Sequence, residues 1–522
     1  MTGSLDGALA GSATQASLKV TLALAGASLL AWEWALRRAG RPDERRRLRD
    51  ALLACLALLA ALAWWDFAPQ RLARTIHEWE FYHHFIGGKY LRELGYTRLY
   101  DCTLIADDEA GFEIPPALRP IRRLATNRIE MAADVSADPE ACKRHFTPER
   151  WDAFRADVQW FRERMPPRRW ATAQTDHGFN ATPAWAIAGS TLANTGPASE
   201  ARLRVLALID PLLLASMWGA ACWGFGWRPT AAAILFWGTN EPGRSSWVQG
   251  AFLRQDWLAA TLVGLALLRR GRMAAGGAAL TVATLLRIFP GFLVAAFALR
   301  AAAGCWRRRS LRLPPSQRRF ALGCAVALAL VVPLSAAVTG SFDSWREFAE
   351  NSRKHLATPL TNFLGLKSVV AYSPAETVMR VRDSSLPDPY TPWHATQRAT
   401  FARRAGWFWA AVLAFAALLA LAVEREEEWA APILGAGLVV VAGQIGCYYY
   451  ALLSVYALLG PRREPASIGL LLLSAATLAI ASSTRAQDET SVWQSLACAV
   501  YVTGVTALAA RRGAPAAPAA TG

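Results

Sequence analysis

Apolar stretches of roughly 20 residues recur along this chain between short basic turns and two long polar segments, a pattern that predicts an all-α polytopic membrane protein. The runs fall at 18–36, 51–65, 183–192, 205–223, 247–268, 273–286, 289–302, 320–338, 407–423, 430–447, 448–459, 468–481 and 492–509, which gives about 13 crossings. Several are short, and Pro183, Pro290 and Gly291 interrupt helical stretches, so broken helices lining a cavity are expected. The stretch 231–237 is too short to cross and is expected to be re-entrant. The first run ends in Arg37 and Arg38 rather than at a small-residue cleavage site, so it reads as a retained span and not a signal peptide.

Basic turns orient the set. Residues 37–49, 269–272, 307–319, 462–463 and 511–512 are short and rich in arginine, which places them in the cytoplasm of a multi-pass inner or plasma membrane protein. The long polar segments 66–182 and 339–404 then face the periplasm or exterior; both carry arginines, but long segments translocate regardless of charge. The chain accordingly divides into two first helices with a basic turn (1–66), an outer loop forming amphipathic helices, with a helix expected at 148–164, and a small cap (67–182), a membrane core (183–338), a second outer loop (339–404), C-terminal helices (405–510) and a disordered tail (511–522).

Composition removes several function classes. The chain has 522 residues, 53% of them hydrophobic, and a formal charge of +16 that sits at helix ends and in loops, where topology and anionic lipids explain it without nucleic acid. No Gly-rich phosphate loop and no zinc-type Cys/His spacing is present. Of eight cysteines, six lie in or beside apolar runs as small core residues; Cys102 and Cys142 share the first polar loop, where a disulfide can form if that loop meets an oxidising compartment.

Chemistry concentrates at 77–101, HEWEFYHHFIGGKYLRELGYTRLYD. On a helix, His77, Glu80, Phe81 and His84 share one face, while Glu78 and Tyr82 share a neighbouring one. A partly desolvated carboxylate beside histidine can act as general base toward a hydroxyl. The same residues also describe an interfacial amphipathic helix anchored by Trp79, Phe81 and Phe85. His77, Glu80 and His84 offer a third reading, a metal site, although the spacing is not HExxH; a weakly held divalent cation at a phosphate is the form of cofactor the chemistry allows. Farther on, Asp210 and Asp256 lie in or beside apolar spans, where carboxylates are costly and mark function or bundle pairing.

Four blocks together resemble the GT-C superfamily of membrane glycosyltransferases, in particular polyprenol-phosphate-mannose-dependent mannosyltransferases and their uncharacterised bacterial relatives. The first is Glu78 four residues before Tyr82, with Glu where Asp is common, which keeps Glu80 as a candidate beside it. The second is GFNATPAWAIAGSTLA at 178–193; the third is LRQDWLAATLVGLALLRRGRMAAGGAALTVATLLRIFPGF at 253–292, with Arg287 where Lys is usual; the fourth is 345–366 with Asn362 followed by Phe-Leu-Gly-Leu. The resemblance implies inverting transfer of a sugar from a polyprenyl-phosphate donor to a hydroxyl of a lipid or glycan acceptor. It makes Glu78 the base toward the acceptor hydroxyl, with Glu80 and His84 orienting or assisting, and assigns Arg287, Arg254, Lys354 and His355 to the donor phosphate. Tyr82, His83, Asp176, His177, Asn180 and Asp256 would line the acceptor cavity. A transporter or lipid flippase is the competing class, expected to show an internal repeat and polar residues on both sides of the midplane.

Overall fold

The computed structural model describes residues 2–67, 76–135 and 138–511; the tail at 512–522 and the start of the first polar segment at 68–75 lie outside these. Helices dominate, and among the described residues the strands form two two-stranded antiparallel pairs. Five helices are long and apolar enough to cross a membrane: Glu200–Phe225, Pro315–Thr339, Thr391–Arg425, Glu464–Ser483 and Gln487–Ala510. Shorter apolar elements, Met273–Leu286, Ala431–Val441 and the 3₁₀ segment Cys447–Leu459, pack between them, so the chain is an all-α multi-pass membrane protein.

Glycines let these helices touch backbone to backbone. A Cβ at Gly323 would overlap the carbonyl oxygen of Ala274, and one at Gly277 that of Phe320, so Met273–Leu286 and Pro315–Thr339 meet without side chains between them. Gly238 sits equally close to the Ala60 carbonyl, joining Trp227–Thr239 to Arg46–Trp64. Such small-residue contacts are the main packing device where no water drives association.

The short basic turns share one face. Arg37 pairs with Glu464 at 2.5 Å, Arg463 with Glu426 at 2.7 Å and Arg269 with Glu427 at 3.7 Å. Arg462 also pairs with Glu427, and Arg307 with Glu424. Glu33, buried, collects Arg37, Arg49 and Arg228 at the same level. The two long polar segments occupy the opposite face.

Two elements exchange the parts expected of them. Helix Pro183–Ala193 is not a crossing: Asn194, just beyond it, accepts from Arg150 of the cap at 3.3 Å, and the Gly196 carbonyl accepts from Lys89 at 2.9 Å. Helix Trp227–Thr239, which contains the stretch expected to be re-entrant, joins the faces instead. It starts where Arg228 meets Glu33 and Asp50 and leads to Gly243, whose carbonyl accepts from Trp64 Nε1 at 3.4 Å. Arg228 and Pro229 had shortened the apolar run without shortening the helix.

The first polar segment folds as a cap with its own core, built around Tyr82, Tyr90, Tyr100, Phe154, Phe161 and Trp170. The helix expected at 148–164 is present as Pro148–Arg164: proline opens it, and the Thr147 side chain accepts from Arg150 N–H at 3.3 Å. Hairpin Pro120–Arg123/Arg128–Met131 runs in register Pro120 opposite Met131, and a disulfide joins Cys102 to Cys142. Two of its buried carboxylates take several donors each. Asp107 takes Arg119 at 3.2 Å, Arg162 at 3.3 Å, Trp170 Nε1 at 2.9 Å and Gln174 Nε2 at 3.0 Å, and Asp157 takes Lys89 at 2.6 Å and the Tyr90 hydroxyl at 2.7 Å. The second segment reaches the cap through helix Asp343–Leu356, where Lys354 donates to the carbonyls of Leu124 at 2.8 Å and Ala125 at 3.3 Å.

Candidate active site

Local backbone chemistry sets the first half of the site. His77 caps the single turn Glu78–Phe81, its Nδ1 accepting from Glu80 N–H at 3.3 Å; burial pushes its pKa down, which keeps that nitrogen an acceptor. The chain then widens into a π turn at Tyr82–Ile86, a local departure often found at functional sites. His84 lies one turn beyond Glu80, with Nδ1 3.2 Å from the Glu80 carbonyl and 3.5 Å from Oε2.

The second half comes from between two membrane helices. Leu253 adopts a left-handed φ of 51°, and its carbonyl accepts from Trp185 Nε1 at 3.1 Å. Asp210, inside helix Ile209–Phe225, accepts from Arg254 N–H at 2.9 Å and from Gln255 N–H at 3.1 Å. That intramembrane carboxylate therefore holds the turn that opens Asp256–Arg269 and aims Arg254 at the cap. Arg254 Nε approaches Glu80 Oε2 at 3.0 Å, and its Nη1 donates to His84 Nε2 at 3.1 Å.

His84 is consequently neutral: burial first, then the charges of Arg254 and Arg287, hold its pKa well below the usual imidazole range. With Nε2 accepting, Nδ1 carries the proton and faces Glu80 as a hydrogen-bond donor, so the Glu80–His84 contact is not an ion pair. Glu80 Oε2 meets Arg254 off the hydrogen-bond axis and keeps an unfilled acceptor position.

Arg287 follows helix Met273–Leu286 at the break before Pro290. Its side chain is 7% exposed; Nη1 donates to the Leu286 carbonyl at 2.7 Å, and Nη2 is buried with no partner among the described residues. Asp256 accepts from Trp257 N–H at 2.7 Å, and both arginines act on it electrostatically. Tyr448 completes the group, its ring centre 5.2 Å from the Arg254 guanidinium. Tyr449, Phe289 and Trp257 stack beside it with ring centres 4.8 to 5.6 Å apart. Nothing in the sequence links Tyr448 to Arg254.

The remaining candidates separate. Glu78 and Glu80, two residues apart, point about 200° apart around the helix; Glu78 is half-buried, with no cation within 4 Å among the described residues. Tyr82 is fully buried in the cap core and donates to Thr103 Oγ1 at 2.9 Å. His83 lies 2.7 Å from the Trp79 carbonyl and 2.6 Å from the Tyr100 hydroxyl.

Asp176, His177, Lys354 and His355 meet one another rather than Arg287. Asp176 accepts from Trp79 Nε1 at 2.7 Å and His177 N–H at 2.8 Å, and the rings of His177 and His355 stand 4.7 Å apart. Asn180 is exposed. The His77–Glu80–His84 metal set is not assembled, because His77 caps the helix and His84 takes Arg254. No group of three or more such ligands with metal-binding geometry occurs among the described residues. Comparison with family models, curated proteins and solved structures returns no match.

Proposed function

We propose that this chain is an integral membrane glycosyltransferase that moves a sugar from a polyprenyl-phosphate donor to an acceptor hydroxyl, with inversion, on the outward face of about 13 crossings. The observation that carries the reading is the buried Arg287 Nη2 without a partner, beside Arg254, His84 and Glu80. A desolvated guanidinium with a free donor is costly unless an anion completes it, and a lipid phosphate at the membrane surface is the anion this location offers.

In this scheme the donor phosphate takes Arg287 Nη2 and competes for Arg254, which loosens the hold on Glu80. Glu80 accepts the proton of the acceptor hydroxyl as its oxygen bonds the anomeric carbon. The bond from that carbon to the phosphate oxygen breaks, and both arginines stabilise the charge left on the phosphate. Neutral His84 donates Nδ1–H to the Glu80 backbone carbonyl and stands 3.5 Å from its carboxylate. Glu80 rather than Glu78 takes the base role because it alone of the two faces the arginines. Tyr448 and its aromatic neighbours provide an apolar wall for the prenyl chain.

The test is transfer by the purified protein from polyprenyl-phosphate hexoses and pentoses, with parent, Glu78→Gln, Glu80→Gln and Arg287→Ala. Losses of about 100-fold or more are expected for Glu80→Gln and Arg287→Ala, and a much smaller one for Glu78→Gln. Full transfer by all three variants refutes the site.

A further inference from the structure

A polar cleft lies on the cap-side face away from Glu80 and Arg254, between the second polar segment and the first turn of helix Gln487–Ala510. Asp488, Gln397, Gln444, Ser368, Tyr372 and Trp393 line it. Asp488 is 4% exposed, and only one of its oxygens is used: Oδ2 accepts from Val378 N–H at 2.9 Å and Trp393 Nε1 at 3.2 Å. Oδ1 is buried with no partner, and no cation lies within 4 Å of the carboxylate among the described residues. The Gln397 amide, buried, and the Tyr372 hydroxyl likewise take no protein partner among the described residues. Gln444 Nε2 donates to Ser368 Oγ at 3.0 Å, which turns its carbonyl oxygen free.

The free interior is about 10 Å³, room for one water-sized group, with about 280 Å³ of space around it opening outward. We infer that this cleft is a binding site for one hydroxyl-bearing edge of a polyol, a sugar ring in particular. The hydroxyl donates to Asp488 Oδ1 and accepts from the Gln397 amide, and the ring lies at the mouth beside Tyr372, which is partly exposed. An acceptor oxygen beside an amide donor, in a space that admits one water-sized group, suits a hydroxyl, which donates to one and accepts from the other, whereas an ammonium only donates.

A two-residue strand pair separates this cleft from the candidate active site. Phe363–Leu364 pairs with Ile445–Gly446, Gln444 precedes that pair on the cleft side, and Tyr448 follows it toward Arg254. The hydroxyl chemistry stands on the cleft alone; that its ligand is the acceptor rests on the glycosyltransferase reading.

The experiment is saturation-transfer NMR on the full-length protein in detergent with methyl α-mannopyranoside and methyl α-glucopyranoside as probes. Asp488→Asn keeps an oxygen for Val378 and Trp393 and turns an amide donor into the cleft. It is expected to weaken binding about tenfold, and Gln397→Leu comparably, while Glu80→Gln binds like the parent. Tyr372→Phe, at the rim, serves if Asp488→Asn does not fold. Absence of probe binding by the parent, or equal binding by parent, Gln397→Leu and Tyr372→Phe, means the cleft holds water only and overturns the inference. Binding that follows these variants in a protein without transfer activity sinks the enzyme reading and leaves the cleft standing.

Discussion

Arg254 grips Glu80 and His84 at once, through Nε at 3.0 Å from the carboxylate and Nη1 at 3.1 Å from the imidazole, so one guanidinium rising between membrane helices fixes two titratable side chains of the cap. Removing either partner strands a largely buried charge. Arg254→Met should therefore cost about 3 kcal/mol, read as a lowered thermal midpoint in detergent. Adding Glu80→Gln to Arg254→Met should recover part of that loss, because no lone charge then remains. Strictly additive effects in the double variant would mean that the two side chains do not act on each other.

The disulfide between Cys102 and Cys142 closes a segment with a sequence separation of 40 across the cap. Loop-closure entropy assigns such a bridge about 4 kcal/mol. Cys142→Ser and the double serine variant should thus lose the same amount, and reductant should lower the parent's midpoint to theirs. A reductant-insensitive midpoint would rule out a stabilising bridge.

How far the sequence reaches can be judged residue by residue. Helix Pro148–Arg164 was legible to the residue because its start carries local signals, a threonine cap and a proline, that no tertiary contact overrides. Arg254, Asp256 and Arg287 were legible as candidates because ionisable residues at membrane depth are few and costly, and Glu80 and His84 because they share a helix face in a segment dense in titratable groups. Partnerships were not. Lys354 and His355 sit in a helix whose charged residues read alike, and only the fold turns them to Leu124 and His177. Hydropathy measures length and not direction, so Pro183–Ala193 passed for a span while Trp227–Thr239, opened by Arg228 and Pro229, did not.

The junction between cap and second segment should respond to acid. His177 and His355 face each other, with Arg122, Lys354 and Asp176 acting on them and His394 with Asp388 close by. Burial first, then Arg122 and Lys354, push His355 down to about 4, and His177 is driven low by burial and Arg122. Folded His355 binds a proton less readily than the unfolded chain does, so its neutral form contributes stability at neutral pH that is lost as pH falls below the usual imidazole range toward about 4. Asp176, which burial raises but the neighbouring His83 and His177 and the bonds from Trp79 and His177 N–H lower on balance, adds nothing to the change until lower pH still. The thermal midpoint of the parent should fall on acidification, by up to about 3 kcal/mol for this one group, and His355→Gln should flatten the slope. A parent midpoint flat across that window, or one unaltered in slope by His355→Gln, would contradict this.

Gly323 links packing to the candidate site. A Cβ there would meet the Ala274 carbonyl, and helix Met273–Leu286, which bears Ala274 near one end, carries Arg287 just past the other. Gly323→Leu must push that helix away, since backbone cannot rotate aside as a side chain can. A destabilisation of about 3 kcal/mol is expected, with Gly323→Ala less severe. Gly406→Leu is the control, because nothing lies within 4 Å of a Cβ at that position. Displacing Met273–Leu286 also moves Arg287 relative to Arg254, which is anchored separately by Asp210. Gly323→Ala, if it folds, should therefore lose transfer out of proportion to its change in midpoint, whereas Gly406→Leu should change neither. Equal loss of midpoint and transfer in Gly323→Ala would mean that the helix contact supports the fold and nothing more specific.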